Sequence, residues 1–371
     1  ATLMLFMHSG CTEDNSTVDT NAADMAVSAD TGQGAGGAGA EGGAGGTGGA
    51  GAEGGAGGAG GAGAEGGAGG AGAEGGAGGA GGAGAEGGAG GAGAEGGAGG
   101  AGGGNAMRQM LEPGLTEYRW EQNVDGNVIE RLYRINVPEA YDQGRDYPVI
   151  FFLHGRGGTG ANFARQHRQY FQGEGDFIAV YPDGHNNRWN MTDAEPGLAD
   201  DVGFFEIMIT HLDGLQNVDR DRRFVWGSSN GAGMAQRLAV ETRYFRAIAA
   251  MVTQLYMGNE PNADRGTGDV SVLQILGMRD RVIPYEGGQG PEPTLQFYPG
   301  ERSAELWAEH HACEAPETAD NAEFIRINYS QCRNGVRVLH YGIRDAGHGL
   351  PNRVDGRPIL ELVLEFFAET P

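Results

Sequence analysis

The chain has 371 residues, of which 73 are glycine, and a formal net charge of −24. Such acidity argues against nucleic acid or an anionic membrane surface as a partner, because both are bound through clustered Lys and Arg. No lysine occurs anywhere, which removes Schiff-base chemistry, a P-loop lysine and a Ser-Lys dyad and leaves Ser, His and carboxylates to carry any catalysis.

The first residues, ATLMLFMHSGCTEDN, place an apolar run from Leu3 to Met7 before small residues and Cys11. This resembles the end of a bacterial lipoprotein signal, in which Cys11 would be lipidated and become the mature first residue. His8 stands where such signals carry Leu, so a plain apolar tail is the alternative. The run is too short to span a bilayer, which takes about 20 apolar residues. From Gly36 to Gly102 glycine then occupies every third position, in GGA and GAE triplets without proline. Lacking proline, a collagen-like period has no stiffening, so a disordered tether is expected, with a self-associating glycine bundle as the other reading. The chain thus divides into a signal-like segment (1–11), a disordered Gly/Ala/Glu-rich tether (12–104) and one globular domain (105–371), expected to be monomeric.

Within 105–371 the predicted strands are VIERLYRINVP (from Val128), YPVIFFL (from Tyr147), DFIAVYP, RRFVW, FRAIAAMV, DVSVLQIL and VRVLHYGI. Between them lie stretches of helical length, VGFFEIMITHLDGLQ, GAGMAQRLAVETRY and SAELWAEHHAC. Short apolar strands alternating with helices predict a parallel sheet covered on both faces, with ligands at the carboxyl ends of the strands. Cys313 and Cys332 form an even pair once Cys11 is set aside, and in an oxidising compartment they are expected to make a disulfide; two buried thiols are the alternative.

The stretch FVWGSSNGAGMAQRL, from Phe224 to Leu238, joins one predicted strand to one predicted helix through GSSNG. Gly227, Ser229 and Gly231 meet the Gly-x-Ser-x-Gly pattern of a nucleophile elbow, whereas Ser228 would need glycine where Trp226 stands. A serine nucleophile needs a base, and the base an orienting acid, in the order Ser, Asp or Glu, His. His348, in the glycine loop DAGHGLP after the last predicted strand, suits the base. His340 lies inside that strand and His310 and His311 on a predicted helix, where packing or surface roles explain them better. Asp280, directly after SVLQILG, suits the acid, with Glu286 and Asp345 as competitors.

These motifs, together with ERLYRINVPEAYDQGRDYPVIFFLHGRGG, YPDGHNNRWN, DDVGFFEIMI and RDRVIPYEGG, resemble the exported α/β-hydrolase esterases that include polyhydroxybutyrate depolymerases, feruloyl esterases and acetylxylan esterases. The resemblance runs from about Val128 to the C-terminus and includes the cysteine pair. It implies an α/β-hydrolase fold and an exported serine esterase acting on a polyester, plant-wall or small ester, without metal or cofactor and touching a membrane only through a lipid at Cys11. It further implies an oxyanion hole made by the backbone N–H groups of Asn230 and of Arg156 in HGRGG. The family commonly carries histidine at Leu276 and tryptophan at Leu350, so an aromatic platform would have to come from elsewhere. Trp189 is the candidate, either lining the site beside Leu350 or packing in the core. His154 reads as structural. The acidic run from Asp193 to Asp201 could hold calcium, but in this family context Asp200 and Asp201 read as caps of a helix start. The competing function is a non-catalytic surface binding module on a hydrolase scaffold; a peptidase of the same fold would need a gating domain that the sequence does not offer.

Overall fold

The predicted apolar runs become the centre of one twisted sheet. The structure, a computed structural model, describes residues 109–167, 175–192, 198–291 and 294–371, so Cys11, the glycine repeat and Asp193 lie outside the described residues. In chain order the elements are β1 (Gly114–Val124), β2 (Asn127–Val137), β3 (Tyr147–Leu153), α1 (Gly160–His167), β4 (Ile178–Pro182), α2 (Asp201–Asp213), β5 (Val218–Ser228), α3 (Asn230–Glu241), β6 (Ala247–Met251) and β7 (Ser271–Gly277). They continue with β8 (Gly288–Gln289), β9 (Gln296–Phe297), α4 (Gly300–His310), β10 (Glu317–Asp320), β11 (Phe324–Tyr329), β12 (Val338–Ile343), β13 (Arg353–Val354), β14 (Arg357–Pro358) and α5 (Ile359–Ala368).

The large sheet runs β1-β2-β4-β3-β5-β6-β7-β12-β11-β10. Its middle, from β4 through β12, is parallel. Antiparallel pairs close both edges. This is the mostly parallel sheet of an α/β-hydrolase, with helices on both faces. Strand pleating decides which helix meets which residue: Val149, Phe151 and Leu153 of β3 face the core shared with α2, α3 and α4, while Ile150 and Phe152 face the core shared with α1 and α5.

Nine elements were not singled out from sequence: the two-residue strands β8, β9, β13 and β14, and the longer β1, α1, β10, β11 and α5. β1 reads as polar (TEYRWEQN) because it is an edge strand with little to bury. α5 buries Ile359, Leu362, Val363, Phe366 and Phe367, a helical spacing of three and four. α1 is short, and β10 and β11 form the edge hairpin inside the loop that Cys313 and Cys332 close with an S–S bond of 1.98 Å.

Candidate active site

β5 delivers Ser229 at the carboxyl end of the sheet, and α3 begins one residue later. Ser229 holds φ 52° and ψ −122°, a conformation that costs a side-chain-bearing residue about 1–3 kcal/mol and persists only where its surroundings enforce it. They do so through its backbone: Ser229 N–H donates to Met251 O at 2.9 Å, and its carbonyl accepts from the N–H groups of Ala232 (2.8 Å) and Gly233 (3.1 Å) and from Thr253 Oγ1 at 3.0 Å. The flanking glycines are steric necessities. A Cβ on Gly227 would overlap the Gly231 carbonyl, and one on Gly231 would overlap the carbonyls of Leu153 and His154.

Two further loops bring the partners. Asp280 follows β7 and His348 follows β12, and the loops are tied together by Met278 N–H to Ile343 O and Arg279 N–H to Ala346 O, both 2.8 Å. Gly277 permits this, since a Cβ there would overlap the Ala346 and Gly347 carbonyls. His348 Nδ1 lies 2.7 Å from Asp280 Oδ2, and His348 Nε2 lies 2.8 Å from Ser229 Oγ. An ionised Asp280 accepts from Nδ1–H, which leaves Nε2 to accept the serine proton. The other carboxylate oxygen, Asp280 Oδ1, accepts from Val282 N–H (2.7 Å) and Ile283 N–H (3.0 Å), so the carboxylate cannot swing away. The structure therefore gathers Ser229, Asp280 and His348. Asp345, one competitor for the acid, is instead exposed and paired with Arg279 at 2.6 Å, and Glu286 is exposed.

No family model matches the chain. Over 267 residues it is 28% identical to feruloyl esterase C of Emericella nidulans, covering 69% of this chain and 90% of that one. A probable feruloyl esterase C of Aspergillus flavus is 30% identical over 62% of this chain and 81% of its own length. The putative esterase NocK of Nocardia uniformis is 31% identical over 60% of this chain and 71% of its own. The chain belongs to the α/β-hydrolase esterase family. A solved acetyl xylan esterase from Aspergillus awamori is similar at 16% identity and a TM-score of 0.44, covering 68% of this chain and 99% of that one. With feruloyl esterases and an esterase as its sequence relatives, the chain is a carboxylic ester hydrolase.

The loop after β3 in the esterase, His154 to Gly158, lies against the elbow. A Cβ on Gly155 would stand 3.4 Å from Ser229 Cβ and 4.0 Å from its Oγ, so the loop that carries Arg156 packs closely against the elbow. Gly157 N–H to Asn187 O (2.8 Å) and Gly158 N–H to Gly155 O (3.0 Å) hold the loop's shape. His154 is buried, its Nε2 accepting from Gly184 N–H at 3.0 Å. Burial holds its pKa below the ordinary histidine value, so it stays neutral and structural.

Trp189 is 1% exposed and belongs to the core, the second of its two expected roles. Its indole N–H donates to His154 O at 2.9 Å. The side-chain amide of Asn230 brackets the Trp189 backbone, accepting from its N–H at 2.6 Å and donating to its carbonyl at 3.0 Å. Trp189 is thus a strut between the HGRGG loop and Asn230, the residue after Ser229. Leu350 is half-buried near His348, and Leu276 is buried in contact range of Gly300.

Asp200 caps α2, accepting from Gly203 N–H at 2.9 Å. The capping role expected for Asp201 needs correction: its carboxylate is buried, paired with Arg131 of β2, and accepts from Asn190 N–H at 2.6 Å. It anchors the segment that carries Trp189. Arg131, Asn190 and Thr253 were not foreseen, because their partners lie far away in sequence and no local pattern marks them.

Proposed function

We propose that this esterase is an exported serine hydrolase that cleaves feruloyl-type esters through an acyl-enzyme. Ser229 Oγ attacks the ester carbonyl carbon while its proton passes to His348 Nε2, and Asp280 holds the imidazole by Nδ1–H and stabilises the imidazolium. The C=O electrons move onto oxygen, which the backbone N–H groups of Asn230 and Arg156 receive. Each such donor typically lowers the barrier by about 3–4 kcal/mol. Collapse breaks the ester C–O bond, and the leaving alcohol takes the proton from His348. Water then attacks the acyl group, delivering its proton to the same nitrogen, and the acid departs as the proton returns to Ser229.

The observation that carries this reading is the continuous Asp280–His348–Ser229 relay, at 2.7 and 2.8 Å, on a strained elbow. The names of the relatives favour the feruloyl ester over a polyester, and the Cys313–Cys332 bond favours an oxidising compartment. The test is a panel of methyl ferulate, short nitrophenyl esters, acetylated xylan and hydroxybutyrate oligomers. Highest kcat/KM on methyl ferulate is expected. A preference for hydroxybutyrate oligomers would overturn the substrate assignment while leaving the mechanism standing.

A further inference from the structure

Opposite Ser229, at the amino ends of β5, β6, β7 and β12, lies a cleft of about 520 Å³ that the ester chemistry does not use. Such a volume falls within the range of small-molecule and oligosaccharide sites, about 300–1,000 Å³. Its walls carry Arg220, Arg223, Arg243, Arg246 and Arg333 against the two carboxylates Asp221 and Asp269. That is a local excess of positive charge on a chain whose net charge is −24.

Three of these arginines already have acidic partners. Arg220 and Arg223 lean on Asp213, and Arg333 lies 4.0 Å from Asp269. The other two differ. Arg243 Nε donates to Gly266 O at 3.3 Å and Arg246 Nε to Asp221 O at 3.1 Å, both backbone carbonyls. Among the described residues no ion pair neutralises either, and both are exposed. Between them in sequence stands Tyr244, half-buried, whose hydroxyl donates to Glu206 at 3.3 Å and whose ring forms part of the wall.

We propose that this cleft binds a carboxylated carbohydrate, with sugar-acid carboxylates taken by the guanidinium groups of Arg243 and Arg246 and a sugar ring lying against Tyr244. Planar guanidinium forks with free N–H groups match carboxylates two bonds at a time, and a tyrosine wall suits an amphipathic ring. The acidic surroundings select against a densely charged polyanion such as nucleic acid, which would carry many phosphates past the small basic cleft into a repelling field. A sugar-acid chain has sparser charge. Because the cleft and Ser229 occupy opposite ends of the strands, a polymer held here leaves the ester site open.

The test is titration of the full chain with polygalacturonate, with neutral xylan and with polyphosphate, at low and high salt. Saturable, salt-sensitive binding to polygalacturonate is expected, weakened about tenfold in the double variant Arg243→Gln/Arg246→Gln. Turnover of a small soluble ester should be unchanged in that variant, which separates this site from the esterase reading. The proposal is overturned by absence of saturable polygalacturonate binding, by equal binding in the double variant, or by an equal loss in an Arg119→Gln/Arg302→Gln control at ion-paired arginines elsewhere. Polyphosphate binding as tight as polygalacturonate would overturn the sugar-acid assignment.

Discussion

Lowering the pH from 8 to 5 should destabilise this esterase by several kcal/mol, through two histidines that take no part in the proposed chemistry. His340, in the centre of β12, and His311, just after α4, are both fully buried. Burial pushes the His340 pKa down to about 3 and that of His311 down to about 4. In the unfolded chain both titrate near 6.5, so below that pH the unfolded state binds protons that the native state refuses, and stability falls as pH falls. The contribution is complete above about pH 6.5 and is lost progressively toward the folded pKa values. At pH 5 each histidine lies about 1.5 pH units below its unfolded pKa, and at about 1.4 kcal/mol per unit each contributes a loss of about 2 kcal/mol, or about 4 together. Urea unfolding followed by tryptophan fluorescence at pH 8 and pH 5 measures the loss. His340→Gln keeps an oxygen for the Tyr285 hydroxyl, which lies 2.9 Å from the imidazole Nε2. That variant starts less stable at pH 8, but its loss on going to pH 5 should shrink by about 2 kcal/mol, and His311→Gln should behave alike. An acid loss undiminished in both variants would rule out the two histidines as its source.

Asp280→Asn keeps the shape of the site but presents an amide to His348, and kcat should fall about ten-thousandfold with the fold intact, read by steady-state kinetics and circular dichroism. Gly227→Ala drives a methyl into the Gly231 carbonyl; a loss of about 2–4 kcal/mol by urea unfolding is expected, together with loss of activity. Trp189→Phe removes the N–H that reaches His154 O. It should cost about 1–3 kcal/mol of stability by leaving a buried carbonyl unpaired, and should lower kcat about tenfold with KM nearly unchanged, since the strut positions the loop rather than the substrate.

The centre of the fold was legible because a parallel strand buried on both faces must be a short apolar run, as YPVIFFL and SVLQILG are. The edges were less so: β1 buries little and its TEYRWEQN looks like any polar surface strand, while the β10–β11 hairpin sits inside a loop that sequence marks only by its two cysteines. Ser229 could be picked out because backbone crowding at Gly227 and Gly231 leaves a spacing that survives in one dimension. Asp280 and His348 followed from their stations after two strands. Trp189 was ambiguous because an aromatic residue near a motif reads the same whether it faces substrate or core, and only the bonds to His154 and Asn230 decide. Asp201 misled for a related reason. An Asp at a helix start is usually a cap, but here the neighbouring Asp200 caps and Arg131, on a strand seventy residues earlier, claims the carboxylate of Asp201.

Ser229 as nucleophile is tested by steady-state hydrolysis of methyl ferulate and nitrophenyl acetate by the full chain and by Ser229→Ala. Turnover by the parent is expected, with a fall in kcat of about a millionfold in a variant that remains folded. Turnover by Ser229→Ala within about tenfold of the parent would contradict Ser229 as the nucleophile.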